Sequence, residues 1–225
     1  MKKLNLVIGL AAALGAGAAL ANGSVKGTIG YTGAPVKAEM LKRKGDAFCA
    51  KKDFPDETVL LSKDGKALAN VLVRIKNGPA ATAPATPVVV DQQDCMYRPR
   101  VQGAVEGQKI QFKNSDATMH NVHAFAGTKT LFNAPQQPKA QPMEKEAKTA
   151  DVVKLQCDVH PWMKGYVVYG KSTLFAVSGA DGAFEIKDVP AGKYTIEAWH
   201  EKLGTQTAEV TVEDAKPADP KLSFK

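Results

Sequence analysis

Three side chains with metal-binding chemistry recur at three-residue intervals in Leu155-Gln-Cys-Asp-Val-His-Pro-Trp-Met-Lys-Gly-Tyr. They are the thiol of Cys157, the imidazole of His160 and the thioether of Met163. A thiolate and imidazole nitrogens in a trigonal arrangement, with a weak thioether on the axis, form the ligand set of a copper ion that exchanges single electrons. That set needs a second imidazole from elsewhere in the chain. Asn114-Ser-Asp-Ala-Thr-Met-His-Asn-Val-His offers His120. The adjacent Asn121 is placed to hydrogen-bond across to the cysteine loop and to hold the two ligand segments together.

Zinc is the rival on ligand grounds, held by Cys157, His160, His120 and His123 in a tetrahedron. His120 and His123 are three positions apart, so on a strand they point to opposite faces. Copper is the better match, and His123 reads as a structural histidine. His200, in Ala198-Trp-His-Glu-Lys, reads as a surface residue, and Met119 and Met143 as ordinary loop residues. Pro161 and Trp162 form a candidate docking patch around an exposed edge of His160, the natural exit for an electron; packing of Trp162 against a neighbouring domain is the alternative. The chain has four histidines, two of them assigned already. A copper oxidase or reductase needs a second metal with several more, so the expectation is a carrier and not an enzyme.

The elements that must position these residues are strands. In Asp151-Val-Val-Lys-Leu-Gln-Cys, a strand puts Val153, Leu155 and Cys157 on one face and delivers the sulfur to the core at its end. Alternation recurs with Val71, Val73 and Ile75 opposite Arg74 and Lys76. It recurs again with Ile110 and Phe112, with Tyr194, Ile196 and Ala198, and with Val210 and Val212. Asp64-Gly65, Asp181-Gly182 and Pro190-Ala-Gly192 supply turns between them. The expected fold class is all-β, a sandwich or barrel. The Pro/Ala-rich stretch 77–87 reads as a linker, and 133–150, with three prolines, as a long exposed connection.

Met1-Lys2-Lys3, an apolar run from Leu4 to Leu20 and Ala19-Leu20-Ala21 predict an export signal cleaved after Ala21 and a periplasmic location. No second apolar run is long enough to span a membrane. The formal charge of +7 drops by two on cleavage and is spread along the chain. That suits an acidic partner but does not point to nucleic acid. Three cysteines are an odd count for an oxidising compartment. Pairing Cys49 with Cys95 and giving Cys157 to a metal resolves it; a disulfide to Cys157 or a free thiol would leave His160 and Met163 without a role.

Cys157-x-x-His-Pro-Trp-Met-x-Gly, the upstream Met-His-Asn-Val-His, and Tyr97-Arg-Pro ahead of Gly107-Gln-Lys-Ile resemble cupredoxins of the amicyanin type. The resemblance spans about residues 88–170. It implies a Greek-key β-sandwich and copper ligands at His120, Cys157, His160 and Met163. It also implies a redox protein as partner, such as a cytochrome or a periplasmic dehydrogenase. Gly27-Thr-Ile-Gly-Tyr, Ala69-Asn-Val-Leu-Val and the run from Val177 to Ile196 resemble the carboxypeptidase regulatory-like domain, a transthyretin-like sandwich. In that family these blocks are continuous, so residues 22–76 and 171–225 are expected to form one sandwich with 88–170 inserted; two sandwiches in tandem are the alternative. A non-redox copper-delivery protein or a cell-envelope binding module is the competing functional class.

Overall fold

The computed structural model describes residues 22–147 and 151–225; the expected export signal 1–21 lies outside the described residues. The period-two patterns become strands, and among the described residues the one helical element is a 3-10 turn over Cys49–Lys51. The fold is an all-β sandwich. No helix among the described residues is long and apolar enough to cross a membrane.

Two sheets enclose the residues of interest. One orders Met143–Glu146, Lys109–Asn114, Val88–Gln93 and Met96–Arg98. The other orders Val101–Val105, Lys164–Gly170, Val152–Gln156, His120–Ala126 and Lys129–Gln136. Alternation sends Ile110 and Phe112 inward from the first, and Val122, Ala124, Val153, Leu155 and Val167 from the second. All are buried in one apolar cluster that also holds Cys157 and Met163. Full burial of each such side chain contributes about 1.5–3 kcal/mol.

A second apolar cluster is built from the chain on either side of these sheets. Val25, Phe184 and Ile186 face Val73, Ile75, Ile196, Ala198, Val210 and Val212. Strand Gly23–Thr28 pairs with Ala183–Val189, Gly27 opposite Phe184, and Leu72–Ile75 pairs with Gly192–His200, Val73 opposite Ala198. The far face of Leu72–Ile75 is covered too. Leu72 packs with Val101 and Val168, and Arg74 donates to Glu197 (2.7 Å), Asp151 (3.0 Å) and the Tyr169 carbonyl. Arg100 and Glu201, both nearly unexposed, form a second ion pair between the two groups of sheets. Pairs of this kind fix relative position more than they add stability.

Residues 41–57 behave differently from the rest of their flank. The segment leaves the second cluster and lies on the first, where Cys49 is buried and bonded to Cys95 with Cα atoms 5.7 Å apart. The disulfide pairing expected from the cysteine count is therefore present, and Cys157 is a free, buried thiol.

Two expectations are corrected. The stretch 133–150 is not one exposed connection, because Lys129–Gln136 and Met143–Glu146 are strands. Both lie at sheet edges, and Pro135 is tolerated on an edge strand, where the missing donor faces no partner. His200 is not a surface residue: it is 1% exposed. It falls in register with Tyr194, Ile196 and Ala198 on the inward face, and its Nδ1 accepts the backbone N–H groups of Lys202 (3.2 Å) and Leu203 (3.1 Å).

Burial, reinforced by the charges of Arg100 and Lys202, pushes the His200 pKa down to about 4 from an ordinary 6.5. The unfolded chain binds this proton more readily, so stability is intact above pH 6.5 and is lost as pH falls from 6.5 toward 4. The expected loss is up to about 3 kcal/mol. Urea unfolding across that window should show the slope in the wild type and a flatter profile in His200→Gln.

Candidate metal centre

His120 opens strand His120–Ala126, and the loop before it is fixed by Asn114. The Asn114 amide donates to the carbonyls of Thr118 (3.0 Å), Gln136 (3.0 Å) and Gln137 (3.2 Å), while its Oδ1 accepts the Asp116 N–H (3.1 Å). Cys157 follows strand Val152–Gln156. Its loop is closed by backbone bonds from the Cys157 N–H to the Met163 carbonyl (3.3 Å) and from the Met163 N–H to the His160 carbonyl (2.9 Å). The chain returns past Tyr97 through Gly165, where a Cβ would lie a tight 3.0 Å from the Cβ of Tyr97.

These two loops bring together three of the sequence-predicted residues. His120 Nδ1 lies 2.9 Å from His160 Nδ1, and Cys157 Sγ lies 3.7 Å from the same His160 nitrogen. The three residues form a buried cluster of potential ligands within 4.8 Å of one another. Met163 is fully buried beside them in the chain and tied to His160 by its backbone. Asn121 spans the two loops. Its Oδ1 accepts the Asp158 N–H (2.8 Å) and lies 3.3 Å from Cys157 Sγ, while its own N–H points at that sulfur (3.5 Å). Tyr97 braces the same residue by donating its hydroxyl to the Asn121 carbonyl (2.6 Å).

His123 does not join the cluster. It lies on the opposite strand face, bonded to Asp158 (2.9 Å) and Thr130 (3.0 Å), so the four-residue zinc set is not assembled. The edge of His160 is not exposed either. The residue is 1% accessible, with Trp162 at 5.1 Å between ring centroids and Asp46 over its outer nitrogen. Pro161 is exposed, whereas Trp162 is half-buried and donates its indole N–H to the Cys95 carbonyl (3.1 Å).

Two carboxylates escaped the sequence reading. Asp116 Oδ2 lies 2.8 Å from His120 Nε2, and Asp46 Oδ2 lies 3.2 Å from His160 Nε2. Asp116 was findable as a carboxylate four residues before a candidate ligand. Asp46 lies 114 positions from His160 and carries no local signal. Both also fall into tight groups with a half-cystine, Asp46–Cys49–His160 and Cys95–Asp116–His120. The sulfurs there are bonded to each other, so neither group is a thiolate site.

The electrostatics follow from these contacts. Burial acts to raise the Asp46 pKa, but the amides of Cys49 and Phe48, Thr118 and His160 outweigh it and hold the carboxyl at about 2. Asp116 is likewise held low by His120 and the amides of Cys95 and Asp94. Burial also acts to raise the Cys157 thiol, yet His120 and the amides of Asn121, His160 and Val159 bring it below its ordinary value. His120 is raised by Asp116 and Cys157 against the effect of burial, while burial and the nearby His120 charge lower His160.

A carboxylate can only accept, so each imidazole donates its Nε2–H outward and turns the Nδ1 lone pair inward. Two lone pairs 2.9 Å apart repel unless a cation lies between them. A proton on one of the two rings would relieve that contact. A metal ion fits the same point, with a lowered thiol as third donor.

Asp116 is 3% exposed and accepts from two amides and one imidazole. Asp116→Ala should therefore destabilise the metal-free protein by about 3–5 kcal/mol in urea unfolding, because it strands two buried donors and one half-buried one. Asp116→Asn, which keeps one acceptor, should lose less.

No family model and no curated protein matches the chain. Solved structures similar to part of it include these three. A purple cupredoxin from Nitrosopumilus maritimus is 22% identical over 37% of this chain and 99% of that one, with a TM-score of 0.33. A reduced amicyanin variant is 26% identical over 43% and 97%, with a TM-score of 0.34. A copper-containing nitrite reductase from Thermus scotoductus SA-01 is 20% identical over 44% of this chain and 25% of its own, with a TM-score of 0.35. The likeness is partial, and the chemistry rests on the residues described above.

Proposed function

We propose that this protein is a mononuclear copper protein that carries single electrons, with residues 88–170 as a cupredoxin-like unit set into a sandwich made by 22–76 and 171–225. One observation carries the reading: His120 Nδ1, His160 Nδ1 and Cys157 Sγ converge on one buried point with both outer imidazole nitrogens already committed. Two imidazoles and a thiolate would hold copper as a soft donor set, and the Met163 thioether would be a fourth, weak donor. A copper ion bound there supplies a one-electron couple.

The chain's own residues set the conditions for that couple. The short loop from Cys157 to Met163 and the Asn121 bridge hold the donors nearly still, which keeps the geometric change on electron gain or loss small. Burial excludes water from the donors. Carboxylates on both imidazoles raise their basicity and fix the tautomer that presents Nδ1. The partner on this reading is another redox protein, such as a cytochrome or a dehydrogenase, in the periplasm.

Burial of His160 favours a second reading, non-redox copper handling, because the imidazole edge through which electrons would leave is covered. Fast reversible reduction with tight retention supports the carrier; slow electron exchange with ready transfer of copper to a chelator supports handling.

The deciding experiment is Cu(II) titration of the protein followed by visible absorption and EPR. An intense thiolate-to-copper band with narrow copper hyperfine splitting is expected, and a colourless protein overturns the reading. Cys157→Ser should abolish the band. Met163→Leu should keep the metal and raise the reduction potential, because a donor that favours Cu(II) is lost; an unchanged or lower potential removes Met163 from the ligand set.

A further inference from the structure

Residues 41–57 form a loop whose ends are held together. The Leu41 N–H donates to the Phe54 carbonyl (2.9 Å) and the Asp56 N–H to the Glu39 carbonyl (2.7 Å). Its body is tied to the first pair of sheets at several separate points. Arg43 donates to the Asp94 carbonyl, Arg98 pairs with both oxygens of Glu57, and Cys49 is bonded to Cys95. Thr118 donates to Asp46 Oδ2 (2.9 Å).

At the tip, Asp46 Oδ1 accepts the N–H groups of Phe48 (2.8 Å) and Cys49 (2.9 Å). Its other oxygen faces His160 Nε2 at 3.2 Å. Asp116 is arranged in parallel: it accepts the N–H groups of Asp94 (2.8 Å) and Cys95 (2.7 Å) and faces His120 Nε2. Each half of the disulfide thus donates its backbone N–H to the carboxylate that orients one imidazole. The Cys49–Cys95 bond joins the two carboxylate turns directly behind the candidate metal point.

We propose that residues 41–57 are a disulfide-tethered cap on the metal centre, with Asp46 as the positioning residue for His160. This deepens the copper reading and rests on it for the identity of the metal, but not for the geometry. Asp46 has two jobs that a ligand cannot do for itself. It locks the His160 ring in the rotamer and tautomer that aim Nδ1 inward, and it closes the face through which water or a competing ligand would reach that ring. The tether matters because Asp46 stands 114 positions from His160, in a stretch, 41–57, that holds none of the named strands.

The test uses the full chain with 15N-labelled histidine. In the metal-free protein, imidazole 15N spectra above neutral pH should show His160 with its proton fixed on Nε2. Asp46→Ala should give a mixture of Nε2–H and Nδ1–H forms at His160 while leaving His120 as it is. Asp46→Asn, which keeps one acceptor oxygen, should fall between. The double variant Cys49→Ala/Cys95→Ala should reproduce the Asp46→Ala spectrum with Asp46 itself intact, an effect that a local packing defect at position 46 would not predict. In the copper-loaded protein, removal of copper by an excess of a soluble chelator should be about 10-fold to 100-fold faster in the Asp46→Ala and double variants.

An unchanged His160 tautomer in Asp46→Ala overturns the proposal, as does a wild-type rate of copper loss. A wild type that binds no copper leaves the tautomer result to decide on the cap alone. A wild type that binds copper while Asp46→Ala changes neither readout removes the cap and leaves the copper reading standing.

Discussion

Everything at the centre of this protein depends on two imidazole nitrogens being held 2.9 Å apart with their lone pairs facing. Left to itself, an imidazole in a sandwich core would rotate or change tautomer to relieve that contact. Here neither ring is free to do so, because Asp116 and Asp46 hold the two outer N–H groups. Positive charge between the rings, from a proton or a metal ion, would relieve the repulsion. Binding of a metal at the same point must expel that proton and any on the sulfur, so affinity is coupled to pH through the site itself.

The charge count explains why such an arrangement survives burial. Two carboxylates flank the point and are held ionised by hydrogen bonds despite burial, and the Cys157 thiol is brought below its ordinary value beside them. Unbalanced buried charge is costly. A metal cation at the point would offset it, and an imidazolium would do so in part. Surplus negative charge would also favour the higher oxidation state of a redox metal held there, pulling its potential down, whereas burial would act the other way.

Most of the framework was legible because it obeys local rules. Period-two alternation correctly faced Val73, Ile75, Ile110, Phe112, Val153, Leu155 and Cys157 inward, since burial of one strand face leaves no alternative register. The separation of His120 from His123 onto opposite faces follows from the same rule. What could not be read locally depends on distant segments. Arg74 looks solvent-facing in its own strand but meets Glu197 and Asp151 when a second sheet covers it. His200 continues the inward face of its strand by one more residue, a place where polarity argues for the surface and register argues for the core. Register won because two backbone amides satisfy the ring. Asp46 reaches the centre through a disulfide and a loop excursion, neither of which leaves a periodic trace.

That excursion changes how the centre relates to its surroundings. A metal point reached only by a short ligand loop leaves one imidazole at the protein surface, where electron exchange and metal exchange share one door. Here the door is occupied by Asp46, whose side chain is 21% exposed, and by the segment bonded behind it. Electron transfer tolerates a few ångströms of intervening protein, whereas ligand exchange needs an open coordination position. On the copper reading, a cover one carboxylate thick would therefore discriminate between the two processes: it would slow entry of water and competing ligands far more than it would lengthen an electron's path.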